Sequence, residues 1–211
     1  MIVYGSSLSP FVRKLLVVAD EKGLVMEVEP TAPNSNDPAF REASPFGKIP
    51  GFRDGDFAIS DSTAIIAYLE AKHPAPPLIP VAPESRARTV WYEEFADTIV
   101  VACMGKVFFN RVVAPKFMGR PGDMAAAEKA EKDELPPLID YLEKVVPASG
   151  YLVDDRLTVA DLAVASPFVN FGCGIVIDKK AHPKAGTYVE AILARPSFAS
   201  MVAEEKAVLA R

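Results

Sequence analysis

The ten residues from Pro74 to Pro83 include five prolines and divide the chain into two parts with different periodicities. Proline fixes φ and has no N–H, so a run this dense continues neither a helix nor a central strand and reads as a linker. Before it, short β-rich runs alternate with helical ones; after it, every strong pattern is helical. The expected organisation is an α/β unit over residues 1–75, a linker over 76–83 and an all-helical unit over 84–211.

In the first unit, Ile2 to Gly5 reads as a strand, followed by the loop Ser6-Ser7-Leu8-Ser9. Pro10 then stands where proline favours the first turn of a helix, here spanning Phe11 to Lys22 and closed by Gly23. Leu15 to Ala19 make that helix apolar on most sides, with Arg13-Lys14 expected on an exposed face. Val25, Met26, Val28 and Pro30 give a second strand, Thr31 to Asp37 a loop, and Pro38 to Ala43 a short helix. Gly51-Phe52-Arg53 and Phe57-Ala58-Ile59 flank Asp54-Gly55-Asp56, whose Asp-Gly predicts a hairpin. A helix carrying Ile65, Ile66, Tyr68 and Leu69 starts at Asp61 and stops near His73, because Pro74 follows. The order is β-α-β-α-β-β-α.

In the second unit, Glu84 to about Asn110 is one long helix with two apolar stripes, Trp91, Phe95, Thr98, Ala102 and Tyr92, Ala96, Ile99, Cys103. Met124 to Glu134 and the strongly periodic Leu135 to Val146 follow, with Pro136-Pro137 expected to kink or restart the helix. Thr158 and Asp161 have the spacing of a capping box, with Leu157 placed to pack on Leu162. Helices over Ala185 to Ala194 and Pro196 to Leu209 complete the unit.

Composition excludes several roles. A net charge of -5 disfavours non-specific nucleic-acid or acidic-membrane binding, which needs surplus Lys and Arg. Cys103 and Cys173 form no C-x-x-C pair, so neither a disulfide framework nor a zinc knuckle is expected. The start Met1-Ile2-Val3-Tyr4 lacks a basic, then apolar, leader, and no apolar run is expected to span a bilayer; the chain reads as cytoplasmic. His73 and His182 each precede a proline and fit neither a metal set nor a Ser-His relay.

Two places carry chemistry. Ile49-Pro50, between a glycine-containing loop and a strand, is where a cis peptide would expose the Ile49 N–H and C=O to an extended peptide ligand. Asp61-Ser62 opens a helix whose free N–H groups and dipole favour a carboxylate, with the Ser62 hydroxyl as a further donor and Asp61 as a partner for an ammonium. Capping alone is the commoner job of Ser9 and Asp61 taken singly, and Lys48 alone reads equally well as a solvated loop cation.

Ser9-Pro10-Phe11, Gly47-Lys48-Ile49-Pro50, Asp61-Ser62-Thr63-Ala64-Ile65 and Thr158-x-x-Asp161 together resemble, in order, signatures of the cytosolic glutathione transferase superfamily, with the serine-type, bacterial-like members nearest in pattern. The resemblance implies a thioredoxin-like domain followed by an all-α domain, a homodimer, glutathione as co-substrate without a metal, and a detoxifying transferase. It implies that Ile49 pairs its backbone with the cysteinyl unit, Lys48 meets the glycine carboxylate, and Asp61 and Ser62 hold the γ-glutamyl end. The family often has Glu where Asp61 stands. Thiol-exchanging members keep a cysteine before the same Pro-Phe, and this chain has none there.

The resemblance further implies that the reactive thiol lies near the first helix N-terminus, where the dipole and a hydroxyl donor favour thiolate; the candidate donor is Ser9, with Ser6, Ser7 and Tyr4 as open alternatives. Phe11, Trp91, Phe108, Phe109 and Phe171 are the candidate apolar walls for a small hydrophobic electrophile. Glutathione transfer is the leading activity; a non-catalytic carrier, a peroxidase, or an isomerase of small diacids recognised by Lys106 and Arg111 are the alternatives.

Overall fold

The computed structural model describes residues 1–173 and 175–209. The elements run β1 (Ile2–Gly5), α1 (Pro10–Glu21), β2 (Glu27–Pro30), α2 (Pro38–Ala43), β3 (Gly51–Asp54), β4 (Phe57–Ser60) and α3 (Ser62–Lys72). The sheet order is β2-β1-β3-β4, with β1 and β2 parallel and the other two pairings antiparallel. This is a thioredoxin-like unit, and the βαβαββα order is the one the periodicities predict.

Alternation along β1 sorts its side chains between two layers. Val3 joins the main core with Val12, Leu15, Phe52, Ile65 and Leu69. Tyr4 points the other way, onto Phe40 and Ala43 of α2. At Gly5 a Cβ would stand 2.7 Å from a Val12 methyl, so only glycine lets α1 pack this closely on the strand end.

The all-helical part begins with α4 (Pro83–Phe117), which extends past the expected end near Asn110 through Pro115. It widens to π geometry over Phe95–Val100 and Phe109–Phe117, which re-aims the side chains that follow. Then come α5 (124–145), α6 (Val159–Ala165) running into a 3₁₀ stretch (Ser166–Cys173), α7 (Pro183–Leu193) and α8 (Pro196–Leu209). Pro136-Pro137 open the last segment of α5, where the winding returns from π to α, as expected of a restart. By length and composition α4 could cross a membrane, with mean hydropathy 1.4 over its best window, of which 39% is buried; this corrects the expectation of no such run. Its apolar residues dominate although Lys106 and Arg111 interrupt them.

One apolar cluster runs through both parts, from Val3 and Leu15 to Val100, Val164 and Phe198. The proline-rich segment is pinned to it rather than loose. Leu78 and Ile79 are buried, their N–H groups donate to Glu70, and Val159 donates to the Leu78 carbonyl at 3.0 Å. Asp161 is fully buried and accepts from the N–H groups of Leu152 (2.8 Å) and Thr158 (2.9 Å) and from the Tyr188 hydroxyl (3.2 Å), so the capping motif also staples α6 to α7 and to the preceding loop.

Candidate functional site

Sheet topology gathers both chemical places and the loop that carries Ser9 at one edge. β1 ends where β3 begins, since Tyr4 pairs with Gly51, and β4 ends beside them, since Gly51 pairs with Ser60. The Ser6–Ser9 loop, Ile49-Pro50 and Asp61-Ser62 therefore all leave the same end of the sheet. Ile49 Cβ stands only 3.4 Å from where a Cβ on Gly5 would be.

Ile49-Pro50 is cis. Among the described residues the Ile49 N–H and C=O make no hydrogen bond within the chain, whereas the Lys48 carbonyl accepts from the Ser44 hydroxyl at 2.7 Å. Gly47, at φ +67°, turns the loop; its N–H donates to the Ser44 carbonyl and its carbonyl accepts from Asn34. Arg41 straps the neighbouring loop by donating to the carbonyls of Ser35 and Asn34. The Lys48 side chain is exposed and the Ile49 edge is open.

Asp61 caps α3, its Oδ1 accepting from the N–H groups of Thr63 (3.0 Å) and Ala64 (3.1 Å). It does so at φ +82°, an uncommon conformation for a residue with a side chain and one that marks functional turns. Ser62 is buried at the first helical position, where its N–H has no intrahelical acceptor. Two of the donors foreseen for a ligand carboxylate are thus taken by Asp61, leaving the Ser62 N–H and hydroxyl.

Ser9 is the N-cap of α1, and its hydroxyl makes no capping bond. Its N–H donates to the Ser6 carbonyl (2.9 Å) and its carbonyl accepts from Arg13 (2.9 Å). With Pro10, Phe11, Val101, Met104, Gly105, Phe108 and Pro167 it lines a cavity of about 110 Å³ between α1 and α4. Ser6 Oγ instead accepts from the Leu8 N–H (3.4 Å), and Tyr4 is packed against α2 on the far layer. A hydroxyl with no partner among the described residues, at a helix N-terminus, beside an apolar cavity, can donate to a ligand thiolate.

The expected aromatic wall divides. Phe11 and Phe108 face this cavity. Trp91 does not: it lies ten residues before Val101 on α4, stacked parallel on Phe95 at 5.6 Å in a separate pocket of about 380 Å³ with Ala87, Arg88, Tyr92 and Tyr141. Phe109, one residue further around the helix than Phe108, sits under the Arg120 guanidinium at 5.4 Å. The Phe171 side chain lies outside the described residues.

Arg13 and Lys14 are not on an exposed face. Arg13 is 0% and Lys14 1% exposed. Arg13 grips Glu205 through Nε and Nη2, both at 2.7 Å, and donates Nη1 to the Ser166 carbonyl at 2.7 Å. Lys14 sits between Glu93 (2.8 Å) and Asp97 (2.5 Å), and the Thr63 hydroxyl joins them at Glu93 (3.0 Å). Burial raises the Asp97 carboxyl above its ordinary value, with Lys14 opposing. Both cations bind α1, which carries Ser9, to the helical part. The apolar girth of α1 was the signal, since it leaves no side for solvent.

Lys106 and Arg111 pair with Glu134 and Glu131. Cys103 is buried, which pushes its thiol up to about 11; the Cys173 side chain lies outside the described residues. His73 closes α3, and His182 bonds Asp140 at 2.7 Å. Among the described residues no group of three His, Cys, Asp or Glu is placed to hold a metal.

The profile described as glutathione S-transferase, N-terminal domain matches residues 3–77, and that described as glutathione S-transferase, C-terminal domain matches residues 109–205. Glutathione S-transferase 3 of Zea mays is 33% identical over 214 residues, spanning 95% of this chain and 92% of that protein. A solved structure of glutathione S-transferase III in apo form superposes with TM-score 0.79 at 30% identity, covering 96% of this chain and 95% of that one. A theta class glutathione S-transferase of Xanthomonas axonopodis pv. citri with glutathione bound shares the fold at TM-score 0.79 and 24% identity, with coverage of 95% and 96%.

Proposed function

The chain belongs to the glutathione S-transferase family, and from that premise we propose that it transfers glutathione to a small hydrophobic electrophile, using Ser9 to hold the thiol as thiolate. The Ile49 backbone edge pairs with the cysteinyl unit, Lys48 meets the glycine carboxylate, and Asp61 and Ser62 hold the γ-glutamyl end. The single observation that carries this reading is the Ser9 hydroxyl, free of any capping bond and without a hydrogen-bond partner among the described residues, at the α1 N-terminus and at the sheet edge where the open Ile49 and Ser62 groups also converge. Catalysis then consists of electrostatic preorganisation and proximity, with no covalent enzyme intermediate. Phe11 and Phe108 serve as walls for the electrophile.

The division into 1–75, 76–83 and 84–211, a cytoplasmic location and a detoxifying role belong to the same proposal, as does a homodimer. What supports the dimer is an exposed aromatic and an aromatic-walled pocket on the same chain: Phe46 is 85% exposed beside Gly47, and Trp91, Tyr92 and Tyr141 wall a pocket of about 380 Å³. Phe46→Ser should lower the mass measured by ultracentrifugation and change the fluorescence of Trp91, the only tryptophan. The pairing of Lys106 and Arg111 with glutamates weighs against the diacid isomerase.

The function is tested by adding glutathione and an aryl halide. Glutathione at about 100 times its dissociation constant should stabilise the fold by about 2.7 kcal/mol, and Ser9→Ala should slow conjugation without loss of fold. No stabilisation at millimolar glutathione, together with no turnover, would reject the reading.

A further inference from the structure

Ser9 is held by more than its own helix. Its carbonyl accepts from the Arg13 N–H (2.9 Å), and the carbonyl of the next residue, Pro10, accepts from the Ser166 hydroxyl at 2.7 Å. The Ser166 carbonyl in turn accepts from Arg13 Nη1 (2.7 Å), and Arg13 is fixed by its two-pronged pair with Glu205 of α8. The backbone from Ser9 to Arg13 and Ser166 thus form a closed ring. Ser166, Arg13 and Glu205 are 1%, 0% and 3% exposed, so no water competes for these bonds.

The ring lies against the cavity, because the residue after Ser166 is Pro167, a cavity wall. Pro10 cannot relax by rotating φ, so holding its carbonyl restrains the preceding Ser9-Pro10 peptide and with it the point where the Ser9 side chain leaves the backbone. A hydroxyl that stabilises a thiolate must be placed within a fraction of an ångström.

Resting on the Ser9 assignment, we propose that Ser166, clamped by Arg13 and Glu205, is a positioning residue for catalysis: it holds the Pro10 carbonyl, and through the fixed φ of Pro10 the preceding Ser9-Pro10 peptide, so that the Ser9 hydroxyl meets the glutathione thiolate. The helical part thereby sets thiol activation as well as supplying cavity walls. Ser166 touches no substrate. Its loss acts on the thiol's ionisation and leaves glutathione binding at Ile49 and Ser62 in place.

The test compares Ser166→Ala, Glu205→Gln and Ser9→Ala in the full chain, with the folded fraction measured by circular dichroism. Since a displacement of about 1 Å costs on the order of 100-fold, Ser166→Ala should lower kcat per folded molecule by about tenfold. It should also move the pH profile of kcat/KM to higher pH and leave the KM for glutathione within about twofold. Glu205→Gln keeps the shape and weakens the clamp; it should act in the same direction, less strongly, and carries the test if Ser166→Ala does not fold. A wild-type pH profile and kcat in these variants, or a loss confined to KM, overturns the proposal while Ser9→Ala remains slow. An unchanged rate in Ser9→Ala overturns the Ser9 assignment itself, and this inference with it.

Discussion

Replacing Lys14 with Met removes the cation from between two carboxylates without opening a large void. Lys14 and Glu93 side chains are 1% and 2% exposed and Asp97 is 15%, so Glu93 and Asp97 would be left facing each other away from water. Breaking a buried ion pair by removing one partner costs about 3–5 kcal/mol, against about 0.2–1 kcal/mol for an exposed pair. For a chain of this size that is a fall in Tm of roughly 6–20 °C. Burial already raises the Asp97 carboxyl, and Lys14 is the group opposing it, so the variant should raise it further. A carboxyl raised in the folded state takes up protons there first, so its cost grows as pH rises above the ordinary carboxylate range and fades as pH falls. The deficit of Lys14→Met should therefore be largest near pH 7 and smaller near pH 5. Neutralising the carboxylates as well, in Lys14→Met/Glu93→Gln/Asp97→Asn, should recover much of the stability. The assay is urea denaturation at both pH values. A deficit below about 1 kcal/mol, or one that does not change with pH, would refute the view that this cluster is a buried interdomain clamp.

Two further perturbations separate structure from binding. Asp161→Ala strands the buried N–H groups of Leu152 and Thr158, each costing about 1–3 kcal/mol, so the urea midpoint should drop by the equivalent of roughly 2–6 kcal/mol, with Asp161→Asn losing less. Asp61→Ala loses a helix cap worth about 0.5–2 kcal/mol, whereas Asp61→Gly, at ease at φ +82°, should lose only a few tenths; calorimetry should show both variants binding glutathione more weakly, and full affinity in either would remove Asp61 from the site.

What could be read in the sequence was whatever is encoded locally. Asp54-Gly55 dictates its hairpin, with Gly55 at φ +61°, and Pro10, Gly23 and Pro74 punctuate helices that end where they require. Thr158 and Asp161 announce their cap through a three-residue spacing. The edge that gathers Ser9, Ile49 and Ser62 follows from the βαβαββα order once the sheet is assembled. The clamps on α1 were out of reach: Glu205 lies 192 residues from Arg13, and Glu93 and Asp97 lie 79 and 83 residues from Lys14. Adjacent basic residues look solvated until such partners fold onto them. Trp91 stands apart from the Ser9 cavity for a related reason. Aromatic character marks burial, but only the rise and winding of α4, including its π segments, determine that Phe108 meets the cavity while Trp91 and Phe109 do not.

The central claim is that the Ser9 hydroxyl lowers the pKa of the bound glutathione thiol, and the direct measurement is the ultraviolet absorbance of that thiolate as a function of pH. A free thiol titrates at about 8.5, and one stabilised at a helix N-terminus should titrate within the range of about 3.5–7.5. The wild-type complex should therefore show thiolate absorbance at pH 7 that Ser9→Ala moves up towards the value for the free thiol. An onset for the wild-type complex no lower than for glutathione in solution, or identical titrations with and without the Ser9 hydroxyl, would contradict the account.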